Sequence, residues 1–344
     1  MLPALSTLPD TFTDPSLRRE RMELAANASA ALELIKLGST EEGRPIDAVR
    51  AGHGPRCVTL IAGSHADEPV GTETLLMLVE ALATGECDSL LQEYAFLICP
   101  QVNPDGEARN QDWIRQWPSL AAYLLGVRRE LPGRDMEFGY PDLRPENRAL
   151  AEAMASMAPL SLHMSLHGMG FSSGAMLLID KYWGFRAELL REGFRRAALD
   201  NGLSMHDHNR MGEKGFFQIE AGYTTTPEGA AMRTYFHSRD DPDTASRFRD
   251  SSMEFARSLG GDPLCVVTEL PLFLVEGPSK PGVPEAYLAF SRRRPTLVAR
   301  LNEGEPESRV LADLPIRPLS LATAVALQWS AIALSLEQVL QQRG

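Results

Sequence analysis

The chain has 344 residues, 44% of them hydrophobic and 23% charged, which is enough apolar material for one large α/β domain and too much for a disordered protein. A net charge of -12 excludes a general phosphate-binding surface, because non-specific nucleic-acid affinity comes from lysine and arginine displacing counterions. The four cysteines form no CxxC pair and three lie in or beside apolar runs, so they read as reduced and structural.

The first fifteen residues lack the basic start and unbroken apolar stretch of a secretory signal, which leads to the expectation of a cytoplasmic chain. Residues 1–30 read as an N-terminal extension. Residues 32–38 and 45–52 are strand-like and separated by a polar turn, the pattern of a hairpin. Residues 57–63 then form a short apolar run ending in Gly63, followed by a loop and a helical pattern over 71–83.

Buried strands are predicted at 94–100, 160–168, 174–180 and 264–271, with helical patterns between several of them. Nearly continuous apolar strands alternating with helices predict a largely parallel or mixed sheet covered on both faces. The apolar run 321–336, interrupted by Gln328 and Ser330, reads as part of a packed C-terminal helix over 318–341 rather than a membrane span. No linker or internal repeat divides the chain, so 1–344 is expected to be a single domain.

In open α/β sheets ligands gather beyond the carboxyl ends of the strands. This rule selects His65, Asn103, His167 and Glu269, each following or ending a predicted strand. In Gly63-Ser64-His65-Ala66-Asp67-Glu68 an imidazole and a carboxylate lie three residues apart in a loop and can reach one ion. Catalytic zinc takes three such ligands and leaves a position open, so a distant third ligand is required.

Two histidines compete for that role. His163 and His167 have the same parity on one strand but stand roughly 13 Å apart along it. Only His167 lies at the strand end, and His163 reads as a core or supporting residue. Glu269 ends an apolar strand, where burial raises a carboxyl toward the range of a general base; standing alone, it reads as a solvated strand-end acid.

His65-Ala66-Asp67-Glu68, Asn103-Pro104-Asp105-Gly106, His167 and Thr268-Glu269 together resemble the zinc carboxypeptidase family in order and setting. The opening hairpin and Pro145-Glu146-Asn147-Arg148-Ala149-Leu150 extend the resemblance over roughly residues 30–275. It implies a three-layer α/β/α sandwich around a mixed, mostly parallel sheet, one zinc per chain on His65, Glu68 and His167, and hydrolysis of a terminal amide with Glu269 as general base. The family's Asp-x-Asn-Arg motif, which grips a substrate carboxylate, is missing from the corresponding stretch 128–140.

Arg109 and Arg115 are then the expected oxyanion arginines, and Arg128, Arg129 or Arg134 the expected carboxylate anchor. Tyr223 and Tyr235 are expected in a substrate wall built from 214–235. Peptides or N-acyl amino acids are the expected ligands, with no nucleic acid and no membrane. A zinc deacylase of the aspartoacylase and succinylglutamate desuccinylase type shares such a metal site, and a catalytically silent binding protein on the same fold is the reading from another class. His206 and His208 flank Asp207 and suggest a second metal more weakly.

Overall fold

The computed structural model describes residues 2–5 and 7–341. Ten strands form one sheet: β1 (Leu32–Ser39), β2 (Pro45–Ala51), β3 (Arg56–Ala62), β4 (Tyr94–Cys99), β5 (Leu160–Ser172), β6 (Met176–Ile179), β7 (Gln218–Glu220), β8 (Tyr223–Thr225), β9 (Leu264–Val275) and β10 (Ile316–Pro318). Their order is β1-β2-β4-β3-β5-β9-β6-β8-β7, with β10 pairing to β9. The central strands β4, β3, β5 and β9 are mutually parallel. Antiparallel pairing begins with the strands outside them and with β10.

Side chains alternate across the central strands, which separates two cores. Val58, Leu60, Leu162, Met164, Leu166 and Val266 pack on one face under the helices Val70–Leu82, Glu188–Asp200 and Leu321–Gln341. Ile61, Leu97, Cys265 and Val267 pack on the other, under Pro145–Ala155 and Ser252–Ser258. The result is a three-layer α/β/α sandwich. The N-terminal segment joins the first core, since the helix Pro15–Ala28 buries Met22 and Ala25 there and Arg18 makes a double contact with the buried Glu107.

Helix starts follow local chemistry. Asn103 caps Pro104–Ile114 by accepting from the Gly106 N–H at 3.0 Å, with proline in the first turn, and Ser251 with Glu254 forms a capping box. Gly71 is required by a close approach: a Cβ there would lie 2.6 Å from the Leu166 carbonyl, so glycine lets the helix settle against β5 beside the strand ends.

The C-terminal helix extends past the apolar run to Gln341 and is long and apolar enough, by length and composition, to cross a bilayer. In the fold its apolar side packs into the first core. Gln328 is buried on that side, donating to the His167 carbonyl at 3.1 Å and the Thr268 hydroxyl at 3.0 Å while accepting from Thr74 at 2.7 Å. It ties β5 to β9 one residue before the end of the site.

Candidate metal centre

The chain leaves β3 through Gly63 at φ 79°, a left-handed conformation in which a Cβ would also collide with Gln101. This turn swings His65 over the strand ends. The Glu68 N–H then donates to the His65 carbonyl at 3.0 Å, turning Glu68 back toward His65. The Gly168 N–H donates to Glu68 Oε2 at 3.1 Å and fixes its carboxylate. On the sheet, His167 of β5 pairs in register with Glu269 of β9, so parallel pairing sets both side chains on one face.

Three ligand atoms converge. His167 Nδ1 lies 2.9 Å from His65 Nδ1 and 2.9 Å from Glu68 Oε2, and His65 Nδ1 lies 3.3 Å from Glu68 Oε2. Donor atoms around a tetrahedral zinc with bonds of ~2.0–2.1 Å stand about 3.3 Å apart, so the set is close to the spacing one ion requires. Each imidazole is oriented from behind: His65 Nε2 lies 3.2 Å from Asp135 Oδ1, and His167 Nε2 lies 3.1 Å from Glu137 Oε2. An Nε2–H donated to a carboxylate leaves the Nδ1 lone pair facing the centre.

The electrostatics agree with a cation site. Burial and Arg129 oppose protonation of His65, yet Glu68 and Asp135 outweigh them and push it up to about 9; His167 is also held well above the ordinary range, by Glu137 and Glu68 against burial. Burial would raise Glu68, but Arg129, His65 and the imidazole hydrogen bonds hold it well below. The imidazoles thus attract protons to balance an excess of carboxylate, a charge that a divalent ion would supply instead. The donor set fits zinc on geometry, orientation and charge.

Glu269 is different. Burial, reinforced by Glu68, pushes its carboxyl up to about 8, and its Oε2 is buried without a hydrogen-bond partner among the described residues. It lines two cavities that meet at the centre, one of about 360 Å³ walled by Phe138, Met232, Phe248 and Val267, the other of about 420 Å³ walled by Phe171, Tyr287 and Phe290.

The arginines sort themselves clearly. Arg129 reaches the centre, donating to Asp67 at 3.1 Å and to Glu68, and it lines both cavities. Arg109 and Arg115, expected at an oxyanion, do not line either cavity: Arg109 pairs with Glu42 and lies 3.6 Å from Glu130, and Arg115 pairs with Asp14 at 2.9 Å. The exposed side of their helix turns them toward surface acids. Arg128 is also displaced, bonded to the Leu125 and Val127 carbonyls, and Arg134 pairs with Glu41.

Neither expected tyrosine walls either of these two cavities. Tyr223 is fully buried in β8 with its hydroxyl donating to the Arg191 carbonyl, and Tyr235 donates to Glu213 at 3.0 Å from the helix Gly229–His237. His163 is buried, its Nδ1 2.7 Å from the Thr59 hydroxyl, and burial pushes it down to about 4. His206 and His208 share no ligand set: His206 Nδ1 bonds Ser173, and Asp207 turns away to Gln218 and the Gly282 N–H. Among the described residues the one three-ligand cluster is His65, Glu68 and His167.

Sequence reasoning missed Asp135 and Glu137 although both lie in the stretch where the gripping motif is missing. Asp135-Met136-Glu137-Phe138 begins with aspartate as Asp-x-Asn-Arg does, but carries a carboxylate and a phenyl ring in its third and fourth positions. Glu137 is satisfied by His167, by Ser165 and by Ser252, and Phe138 walls the first cavity. Arg210, which lines both cavities, left no signal in the sequence.

The family model for zinc carboxypeptidases matches residues 19–122, which include His65 and Glu68. Over that stretch the chain is similar to the zinc carboxypeptidases. Its backbone is similar to a metallo-carboxypeptidase from Burkholderia cenocepacia (TM-score 0.56, 16% identity, 96% of this chain and 70% of that one). It is likewise similar to carboxypeptidase A from Helicoverpa armigera (TM-score 0.55, 14% identity, 97% and 75%), and at these identities the likeness concerns the carboxypeptidase fold. The curated relatives include the inactive metallocarboxypeptidase ECM14 of Ajellomyces dermatitidis, 32% identical over 106 residues, and that of Talaromyces marneffei, 33% identical over 100. Those matches cover 27% and 25% of this chain and less than a fifth of the relatives' length.

Proposed function

We propose that this carboxypeptidase relative is a zinc-dependent hydrolase of a terminal amide, with His65, Glu68 and His167 as ligands and Glu269 as general base. The observation that carries the reading is the convergence of two Nδ1 atoms and a carboxylate, each imidazole braced by its own carboxylate. A bound zinc would supply Lewis acidity and lower the pKa of a water toward ~7. Glu269, buried at the junction of the cavities, is suited to take a proton from the attacking water and return it to the leaving amine. Arg129 holds Glu68 in place and sets a fixed positive charge beside the reacting carbonyl.

The relatives' names support a second reading, a silent binding protein on the same fold. The matched segments are too short to contain both His65 and Glu269, so the word inactive does not bear on this chain's full set of residues. The test is Glu269→Gln, which keeps shape and removes basicity. With the protein zinc-loaded, turnover on a panel of peptides and N-acyl amino acids is expected to fall about 10²- to 10⁴-fold while metal content is unchanged. Equal turnover removes Glu269 from the reaction; no turnover by wild type on any panel member favours the silent reading.

A further inference from the structure

The two cavities share five residues: His65, Arg129, Arg210, Phe216 and Glu269. Two of these are arginines, and they differ in commitment. Arg129 is engaged by Asp67 and Glu68. The Arg210 guanidinium lies 3.9 Å from the centroid of the Phe216 ring and makes no hydrogen bond or ion pair among the described residues. It is half-buried. Burial strips part of its hydration, and the ring face with the more distant charges of Glu213 and Glu269 offsets this without a direct ion pair among the described residues.

The loop that presents it is costly and well held. Met211 and Lys214 take left-handed conformations at φ 54° and 57°, alternating with Gly212 at 80° and Gly215 at 87°. Non-glycine residues in that region are strained and persist where surrounding contacts enforce them. Here the Gly212 N–H donates to the Phe216 carbonyl at 3.0 Å, the Thr225 hydroxyl donates to the Gly215 carbonyl at 2.9 Å, and the Thr225 N–H donates to the Phe217 carbonyl at 2.8 Å. The loop is clamped to β8, and Phe216 supports the guanidinium from beneath.

We propose that Arg210 is the specificity-determining residue that holds a carboxylate of the substrate, with the apolar group attached to that carboxylate seated in the 360 Å³ cavity. The proposal rests on the hydrolase reading of the site and names its substrate class. The 128–138 stretch offers no free anchor, since Arg128 and Arg134 lie outside, Arg129 is engaged, and Glu137-Phe138 supplies an occupied carboxylate and a ring. Lys214 lines only the first cavity and Arg294 only the second, whereas Arg210 lines both beside Glu269. Its planar fork can give a carboxylate two parallel hydrogen bonds, which lysine cannot match.

The experiment is calorimetric titration of the full-length protein with 3-phenylpropionate and with 3-phenylpropionamide, which differ in charge but share a ring. Chelated protein is used first so that no ion can hold the carboxylate, and zinc-loaded protein second. Wild type is expected to bind the acid about 10- to 100-fold more tightly than the amide. Arg210→Met should abolish that preference and leave amide affinity within about threefold, and Arg210→Lys should keep part of it; thermal melting verifies that each variant is folded. Lack of preference in wild type, including lack of detectable binding, overturns the proposal. So does a preference that survives Arg210→Met, or one lost instead in Lys214→Met or Arg294→Met. Binding to metal-free protein needs no catalysis, so an Arg210-dependent preference without turnover would sink the hydrolase reading alone, and turnover without the preference would sink the anchor alone.

Discussion

Asp135 and Glu137 touch the proposed metal ligands His65 and His167 rather than the position between them, and their effect there is one of orientation and basicity. Each accepts from an Nε2–H and so fixes which nitrogen faces inward. Glu137 is held in turn by Ser165 and Ser252, so its position is set on two sides. Asp135→Asn keeps the size of the side chain and weakens this acceptor. Zinc affinity is expected to fall about 10- to 100-fold, measured by competition with a chromophoric chelator, while the melting temperature of the metal-free protein changes little. Unchanged affinity would mean that the ring of His65 is held by packing alone. These residues were within reach of the sequence, because both lie in the altered motif, but nothing in a linear pattern says that an acid there faces a histidine seventy residues upstream. Arg210 was not within reach, since its place between the two cavities follows from the shape of its loop.

At the scale of elements, the central strands were legible and the helix faces were not. β5 runs on to Ser172 and β9 to Val275, past the ends expected at 168 and 271, so His167 and Glu269 lie inside their strands at the level where β3 ends. Apolar runs closing on Gly63, Gly168 and Pro271 located β3, β5 and β9 and hence His65, His167 and Glu269, because a buried parallel strand shows itself by composition. Arg109 and Arg115 were misplaced because distance along the chain from a turn says nothing about which side of Pro104–Ile114 faces the cavity. The C-terminal helix shows the same gap: Gln328 reads as a polar interruption, yet it is the buried link among Thr74, the His167 carbonyl and Thr268. Gln328→Leu removes the amide at nearly constant volume and leaves Thr74 bonded only to the Val70 carbonyl and Thr268 only to the His167 carbonyl. A loss of roughly 1–3 kcal/mol is expected in urea unfolding of the metal-free protein, with a lower metal affinity as His167 loosens. A variant as stable as wild type would show that the network is replaced by water.

The molecule as a whole combines a buried polar centre with two neutral histidines outside it, and this gives its stability a pH dependence. Burial pushes both His163 and His206 down to about 4, from an unfolded value of ~6.5. Above pH ~6.5 both are neutral in either state and contribute nothing. Between ~6.5 and 4 the unfolded chain binds protons that the folded chain refuses, so stability falls as pH falls, by up to roughly 3 kcal/mol for each site. His206→Gln, which can still accept from Ser173, should flatten the fall in urea midpoint between pH 7 and 4.5; an identical slope would contradict the assignment. The proposed metal centre on His65, Glu68 and His167 is tested most directly by metal content. Elemental analysis of zinc-reconstituted protein after desalting is expected to give one zinc per chain for wild type and for His163→Ala, and close to none for His167→Ala. Retention of zinc by His167→Ala, or its loss only in His163→Ala, would contradict the account.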